Sequence, residues 1–206
     1  MWNKLPNILT MSRIGVIPLI AGLLFVAPPV GNWVSFGFYV FACVTDFFDG
    51  YFARSWHQQS AVGRFLDPIA DKLLVAALLL ILAGVGRIEG LALLPAVVIL
   101  CREILVSGLR EYLAEVRVGL PVSRLAKWKT VVQMLALGFL IVGGAGPDFW
   151  FMSTSDIGVM GLWISAALTL VTGYDYLRRG IIHIVDEDER QAKAAREAAP
   201  VESGHG

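Results

Sequence analysis

Apolar residues fall into six long runs separated by short polar stretches, at roughly 14–30, 33–48, 67–85, 91–109, 130–142 and 157–177. A helix of about 20 residues crosses the hydrocarbon core of a bilayer. Each run therefore predicts a membrane-spanning helix, the shorter ones completed by polar ends in the interface. Pro18, Gly22, Gly84 and Gly138 are compatible with such helices, because neighbouring helices can satisfy the backbone groups they free. Residues 1–12 are mildly amphipathic and predict a short helix lying on the membrane surface. Lys4 and Arg13 precede the first run as in a signal peptide. No small-x-small cleavage site follows before Ala27-Pro28-Pro29, so a retained first span is expected. The expected fold is an all-α integral membrane protein: six transmembrane helices with a short N-terminal interfacial helix. The membrane domain occupies 1–180. Residues 181–206, charged and Ala-rich, form a partly disordered tail.

Composition agrees with this picture. The chain is 56% hydrophobic, with a mean hydropathy of +0.67, outside the usual soluble range. The formal charge of zero names no partner, but the placement of charge is informative. Of the 17 basic residues, all but Arg87 fall in the N-terminus, the 54–72 loop, the 102–129 region or the C-terminus. By the positive-inside rule those segments, with both termini, face the cytoplasm. Trp33, Trp150 and Trp163 then lie near the opposite boundary, as interfacial anchors or as packing residues. No basic stripe or stacking platform suggests nucleic-acid binding. Cys43 and Cys101 read as buried small hydrophobes, and His57, His183 and His205 carry no ligand pattern. The stretch Gly143-Gly144-Ala145-Gly146-Pro147 reads as a non-cytoplasmic turn.

The chemistry concentrates in 46–71, DFFDGYFARSWHQQSAVGRFLDPIAD. Asp46 and Asp49 are spaced i,i+3, and Asp67 and Asp71 i,i+4, so each pair shares a helix face. Four carboxylates meeting beside apolar runs need a positive counterpart, and a hard divalent cation with oxygen ligands is the natural one. Gly50 and Gly63 leave room for close approach, and Arg54 carries a fixed charge suited to phosphate.

The full spacing, D-x2-D-G-x2-A-R-x8-G-x3-D-x3-D, is filled by Asp46, Asp49, Gly50, Ala53, Arg54, Gly63, Asp67 and Asp71. It resembles the CDP-alcohol phosphotransferase family, whose members join a CDP-activated group to an alcohol and release CMP. The resemblance implies two Mg²⁺ or Mn²⁺ ions held by Asp46, Asp49, Asp67 and Asp71, with Asp71 also the catalytic base. It implies that Gly50, Ala53 and Arg54 receive the cytidine nucleotide, with Ser60 within reach. Residues 6–13 resemble the stretch that opens many family members near the nucleotide, which adds Asn7 and Thr10; Thr10 or Ser12 could equally cap the first span. The resemblance also implies a homodimer in a bacterial inner membrane.

Residues 102–111, REILVSGLRE, together with Lys127-x-Lys129-Thr130, are similar to the phosphatidylglycerophosphate synthase branch of that family. Ala126 departs from the glycine expected there. In that branch CDP-diacylglycerol reacts with sn-glycerol 3-phosphate, and Arg110, Lys127 and Arg178 become candidates for the acceptor phosphate. Another acceptor, such as inositol phosphate, serine or phosphatidylglycerol, is the nearest alternative. A divalent-cation transporter is a different class; acids flanking a basic loop, with Arg54 among them, do not suit a cation path.

Overall fold

In a bilayer no water satisfies the backbone, so an apolar run must close its hydrogen bonds within a helix. All six runs do so. The computed structural model describes the backbone of residues 5–26, 28–56, 61–115, 124–149 and 151–198, and the side chains of 11–26, 28–46, 69–114, 125–149, 151–178 and 180–185. Its helices are α1 (Leu5–Val26), α2 (Val30–Trp56), α3 (Ala61–Gly84), α4 (Leu93–Glu115), α5 (Arg124–Val142) and α6 (Thr154–Ala198), with 3-10 turns at Gly90–Ala92 and Gly143–Ala145.

Two boundaries differ from the expectation. Leu5–Val26 is one continuous helix, so residues 5–12 extend the first long helix instead of forming a separate short one. Pro6 falls in the first turn, where its missing N–H costs nothing. At the other end, α6 continues to Ala198, through most of the stretch expected to be a partly disordered tail. Its Glu, Lys, Arg and Ala residues are strong helix formers.

The helices pack as a ring in the order α1, α2, α5, α6, α4, α3 and back to α1, with a further contact between α3 and α5 across it. Ile20 of α1, Leu78 and Leu82 of α3, Ile99 of α4, Leu140 of α5 and Leu162 of α6 are completely buried in one core. The outer surface is also apolar: Phe25, Leu80 and Leu170 are 59%, 75% and 58% exposed. Large apolar patches of this kind are rare on soluble monomers. Among the described residues, Gly90–Ala114, Leu125–Ala145 and Thr154–Val185 are long and apolar enough to cross a membrane, and Met11–Val26 is a shorter apolar helix. The protein is all-α and membrane-associated. The same surface corrects one expectation: Cys43 is half-buried, but Cys101 is exposed. On a lipid-facing helix an apolar residue need not be buried in protein.

One end of the ring is closed by hydrogen bonds between α2 and α5. The Asn32 side-chain amide donates to the Val142 carbonyl at 3.1 Å, and the Trp33 indole donates to the Ala145 carbonyl at 3.2 Å. Ser153 and Asp156 cap α6 reciprocally: the Asp156 N–H donates to Ser153 Oγ at 3.1 Å, and the Ser153 N–H to the Asp156 carboxylate at 3.0 Å. Arg87, the basic residue set apart by the charge pattern, also works here. Its guanidinium donates to the Leu140 and Ile141 carbonyls at 3.0 and 3.2 Å, closing the C-terminus of α5. A cation there complements both the orphan carbonyls and the helix dipole. Gly143 makes room for it, with a left-handed φ of 51° and an ideal Cβ that would fall 1.7 Å from an Arg87 nitrogen.

Hydrogen bonds to a charged group contribute about 1.5–3 kcal/mol. Arg87→Ala should therefore lower the thermal stability of the detergent-solubilised protein by about that amount, and Gly143→Ala should also destabilise it, through both clash and backbone strain. A melting temperature unchanged by both substitutions would show that the cap contributes nothing.

Candidate functional site

The helices bring polar side chains to the other end: Arg13 of α1, Asp46 of α2, Asp71 of α3, Arg102 and Glu103 of α4, Lys129 of α5 and Thr172 of α6. A buried guanidinium is expensive unless it is paired. Arg13 is 2% exposed, and its Nη1 lies 2.9 Å from the Asp46 carboxylate, which is itself 40% exposed. The arginine is thus inside the bundle, while the aspartate faces the opening. Asp71 is similarly open, with Lys72 Nζ 3.8 Å away. Asp46 and Asp71 are thus both part-exposed at this end of the bundle.

Asp49, Gly50, Ala53 and Arg54 lie on α2 after Asp46, and Gly63 and Asp67 lie on α3 before Asp71. Both segments are helical. The side chains of these six residues, and those of Asn7 and Thr10 on α1, lie outside the described residues, as does all of Ser60. Among the described residues no group of three His, Cys, Asp or Glu side chains could hold a metal. The donors that are described, Asp46 and Asp71, are part-exposed carboxylates. With Asp49 and Asp67 on the same helical segments, this donor set has the all-oxygen chemistry that fits Mg²⁺ or Mn²⁺.

Beside Asp71 opens a cavity of about 280 Å³, lined by Lys72, Arg102, Glu103, Ser107, Arg110 and Glu111 among others. Arg110 was singled out from the sequence. Lys72 and Arg102 were not assigned to the site, although Arg102 opens the stretch that contains Arg110. Lys127 and Arg178 are exposed and are not among the residues lining this cavity. Lys129, two residues on, is buried and forms an ion pair with Glu103. The helical period explains the difference, since residues two apart point to different sides of a helix. The signal that could have found Arg13 was present in the sequence: a charge next to an apolar run is functional by default.

A second cavity, of about 650 Å³, runs between α2 and α5 and is almost wholly apolar. Trp33, Tyr39, Cys43, Val44, Met134 and Phe139 are among its lining residues. It reaches to within one helical turn of Asp46 along α2.

Comparison with known proteins places the chain in a family. Residues 3–171 match the family model described as CDP-alcohol phosphatidyltransferase. The chain is 44% identical over 176 residues to a CDP-diacylglycerol–glycerol-3-phosphate 3-phosphatidyltransferase of Rickettsia bellii, covering 85% of this chain and 94% of the relative. The protein of that name from Pseudomonas fluorescens is 39% identical over 197 residues, covering 92% and 96%. A chloroplastic/mitochondrial one from Arabidopsis thaliana is 34% identical over 186 residues, covering 85% and 62%. The aspartate-bearing helices, the helical fold and the matched span together make this chain a member of the CDP-alcohol phosphatidyltransferase family.

Proposed function

We propose that the protein transfers the phosphatidyl group of CDP-diacylglycerol to sn-glycerol 3-phosphate, giving phosphatidylglycerophosphate and CMP. The relatives carry this activity in their names. The observation that carries the reading is the cavity in which Lys72, Arg102 and Arg110 converge beside Asp71. Fixed cations there suit an acceptor that brings its own phosphate, whereas serine or free glycerol would leave them unused.

Asp46, Asp49, Asp67 and Asp71 would hold two Mg²⁺ or Mn²⁺ ions. Bound there, the ions would offset the charge of the donor pyrophosphate and of the departing CMP. Arg13, buried against Asp46, fixes that carboxylate from behind. Asn7, Thr10, Gly50, Ala53, Arg54 and Ser60 receive the cytidine nucleotide, with Arg54 pairing to phosphate. The apolar cavity along α2 has the chemistry of an acyl-chain site for the donor lipid. In the acceptor cavity, Arg110, Arg102 and Lys72 hold the phosphate of glycerol 3-phosphate, while Lys127 and Arg178 act as exposed outer contacts.

Asp71 is the base. It takes the proton of the acceptor hydroxyl as that oxygen attacks the phosphorus bonded to diacylglycerol. The P–O bond to CMP breaks in line with the attack. The proton stays on Asp71 until solvent removes it, and CMP leaves with the electron pair of the broken bond. Six spans, both termini and the aspartate end facing the cytoplasm of a bacterial inner membrane, and a homodimer complete the proposal. The asymmetry of basic residues supports the orientation.

The acceptor is tested by CMP release in detergent with CDP-diacylglycerol and a panel of alcohols. Glycerol 3-phosphate should exceed free glycerol by at least about tenfold in kcat/KM, the value of one charge-assisted contact. Equal use of the two alcohols would refute the reading. Asp71→Asn should lose about 10²–10⁴-fold in kcat while still binding the donor, the usual contribution of a general base. Near-normal turnover would exclude it from that role. Arg110→Ala should raise the KM for glycerol 3-phosphate by about tenfold or more and leave donor KM unchanged; the opposite pattern would assign Arg110 to the donor.

A further inference from the structure

The wall of the acceptor cavity is built from an unusual set of buried charges. Lys129 and Glu103 form an ion pair, with side chains only 4% and 14% exposed. Arg102, the next cation along, lies with Nη1 3.7 Å from the same Glu103 oxygen. Two like charges this close repel strongly where water is scarce. Only a shared anion lets both stay.

Arg102 is further tied to α6. Its Nη2 donates to Thr172 Oγ1 at 3.2 Å, and the Thr172 hydroxyl donates in turn to the Leu168 carbonyl at 2.8 Å. Its guanidinium carbon sits 6.0 Å from the centre of the Tyr176 ring, a cation–π distance. Its stem passes Gly173, where an ideal Cβ would come within 3.0 Å of Arg102 Cγ. Lys129 is too buried to face a ligand, and it does not line the cavity, whereas Arg102 and Glu103 both do.

We propose that Glu103 is a positioning residue for acceptor recognition. Anchored by Lys129, it holds the Arg102 guanidinium in the orientation that receives the acceptor phosphate. This rests on the assignment of the cavity to glycerol 3-phosphate. A carboxylate lining an anion site would ordinarily weaken it by repulsion. Here its charge is largely taken up by Lys129, and what remains orients Arg102. The cavity keeps a surplus of positive charge: Lys72, Arg102 and Arg110, with Lys129 behind them, outnumber Glu103 and Glu111.

The test uses the full-length enzyme in detergent and starts from the unmodified protein. If it uses free glycerol as well as glycerol 3-phosphate, the assignment of the cavity fails, and the role of Glu103 fails with it. If it prefers glycerol 3-phosphate, the variants decide. E103Q leaves Lys129 buried without its partner and can destabilise the fold. The paired variant E103Q/K129M removes both charges and keeps the packing. It should fold, with the KM for glycerol 3-phosphate raised by about tenfold or more and donor KM unchanged. The thermal protection that glycerol 3-phosphate gives the unmodified enzyme should be lost. E103D, which keeps the charge on a shorter stem, should recover part of the acceptor affinity. A stable paired variant with unchanged acceptor KM would reduce Glu103 to a counter-charge for Lys129 and overturn the proposal. So would a variant that binds the acceptor more tightly, because Glu103 would then be a competitor for the cations.

Discussion

Charge inside an apolar bundle must be paired, and that constraint governs the whole molecule. Arg13 is buried because Asp46 receives it, and Lys129 because Glu103 does. Away from water each of these groups alone would be costly enough to expel the helix end or lose its proton. The ring of six helices meets the constraint by collecting the pairs at one end, where each helix contributes a polar side chain between apolar neighbours. The remaining core is built of Ile, Leu and Ala with a few Val and Tyr.

The two ends of the bundle solve their polar problems differently. At the Arg87 end, the groups needing partners are backbone carbonyls. One guanidinium, the Asn32 amide and the Trp33 indole satisfy them, so that end is a closed, structural seam. At the other end the partners are charged side chains, and they are incompletely buried. Asp46 and Asp71 remain about two-fifths exposed, and Arg110 and Lys72 face a cavity. Carboxylates and cations left partly open in this way are available to a ligand. The difference between satisfied backbone and available side chains separates the closed end from the open one.

The bundle holds two cavities of opposite chemistry. The cavity along α2 is apolar and lies beside Asp46, whereas the cavity against α4 is charged and lies beside Asp71. A donor with acyl chains and an acceptor with a phosphate could approach the aspartates from different sides. Neither would need to cross the other's surroundings, which suits an in-line displacement.

The sequence alone determined a great deal. Six apolar runs and the asymmetry of basic residues dictated a helical membrane bundle, because a bilayer admits few other backbones. The eight-residue aspartate motif pointed to the family that the matched span shows. Arg110 was named through the resemblance to one branch of the family, and the structure sets it in a cavity with Lys72 and Arg102. What the sequence left undecided were relations between helices. Arg13 looked like a flank of the first span until α1 packed against α2 and brought it to Asp46. Lys127 and Lys129 were equivalent as charges; the rotation of α5 exposes the first and buries the second against Glu103. Arg87 appeared only as the exception to a charge pattern, until packing placed the last carbonyls of α5 on it. The end of α6 was underestimated because a charged, Ala-rich stretch reads equally as a tail or as a solvated helix. In each case the residue's chemistry was visible in the chain. Its partner lay far away in sequence, and only the packing of the ring decided which charge would meet which.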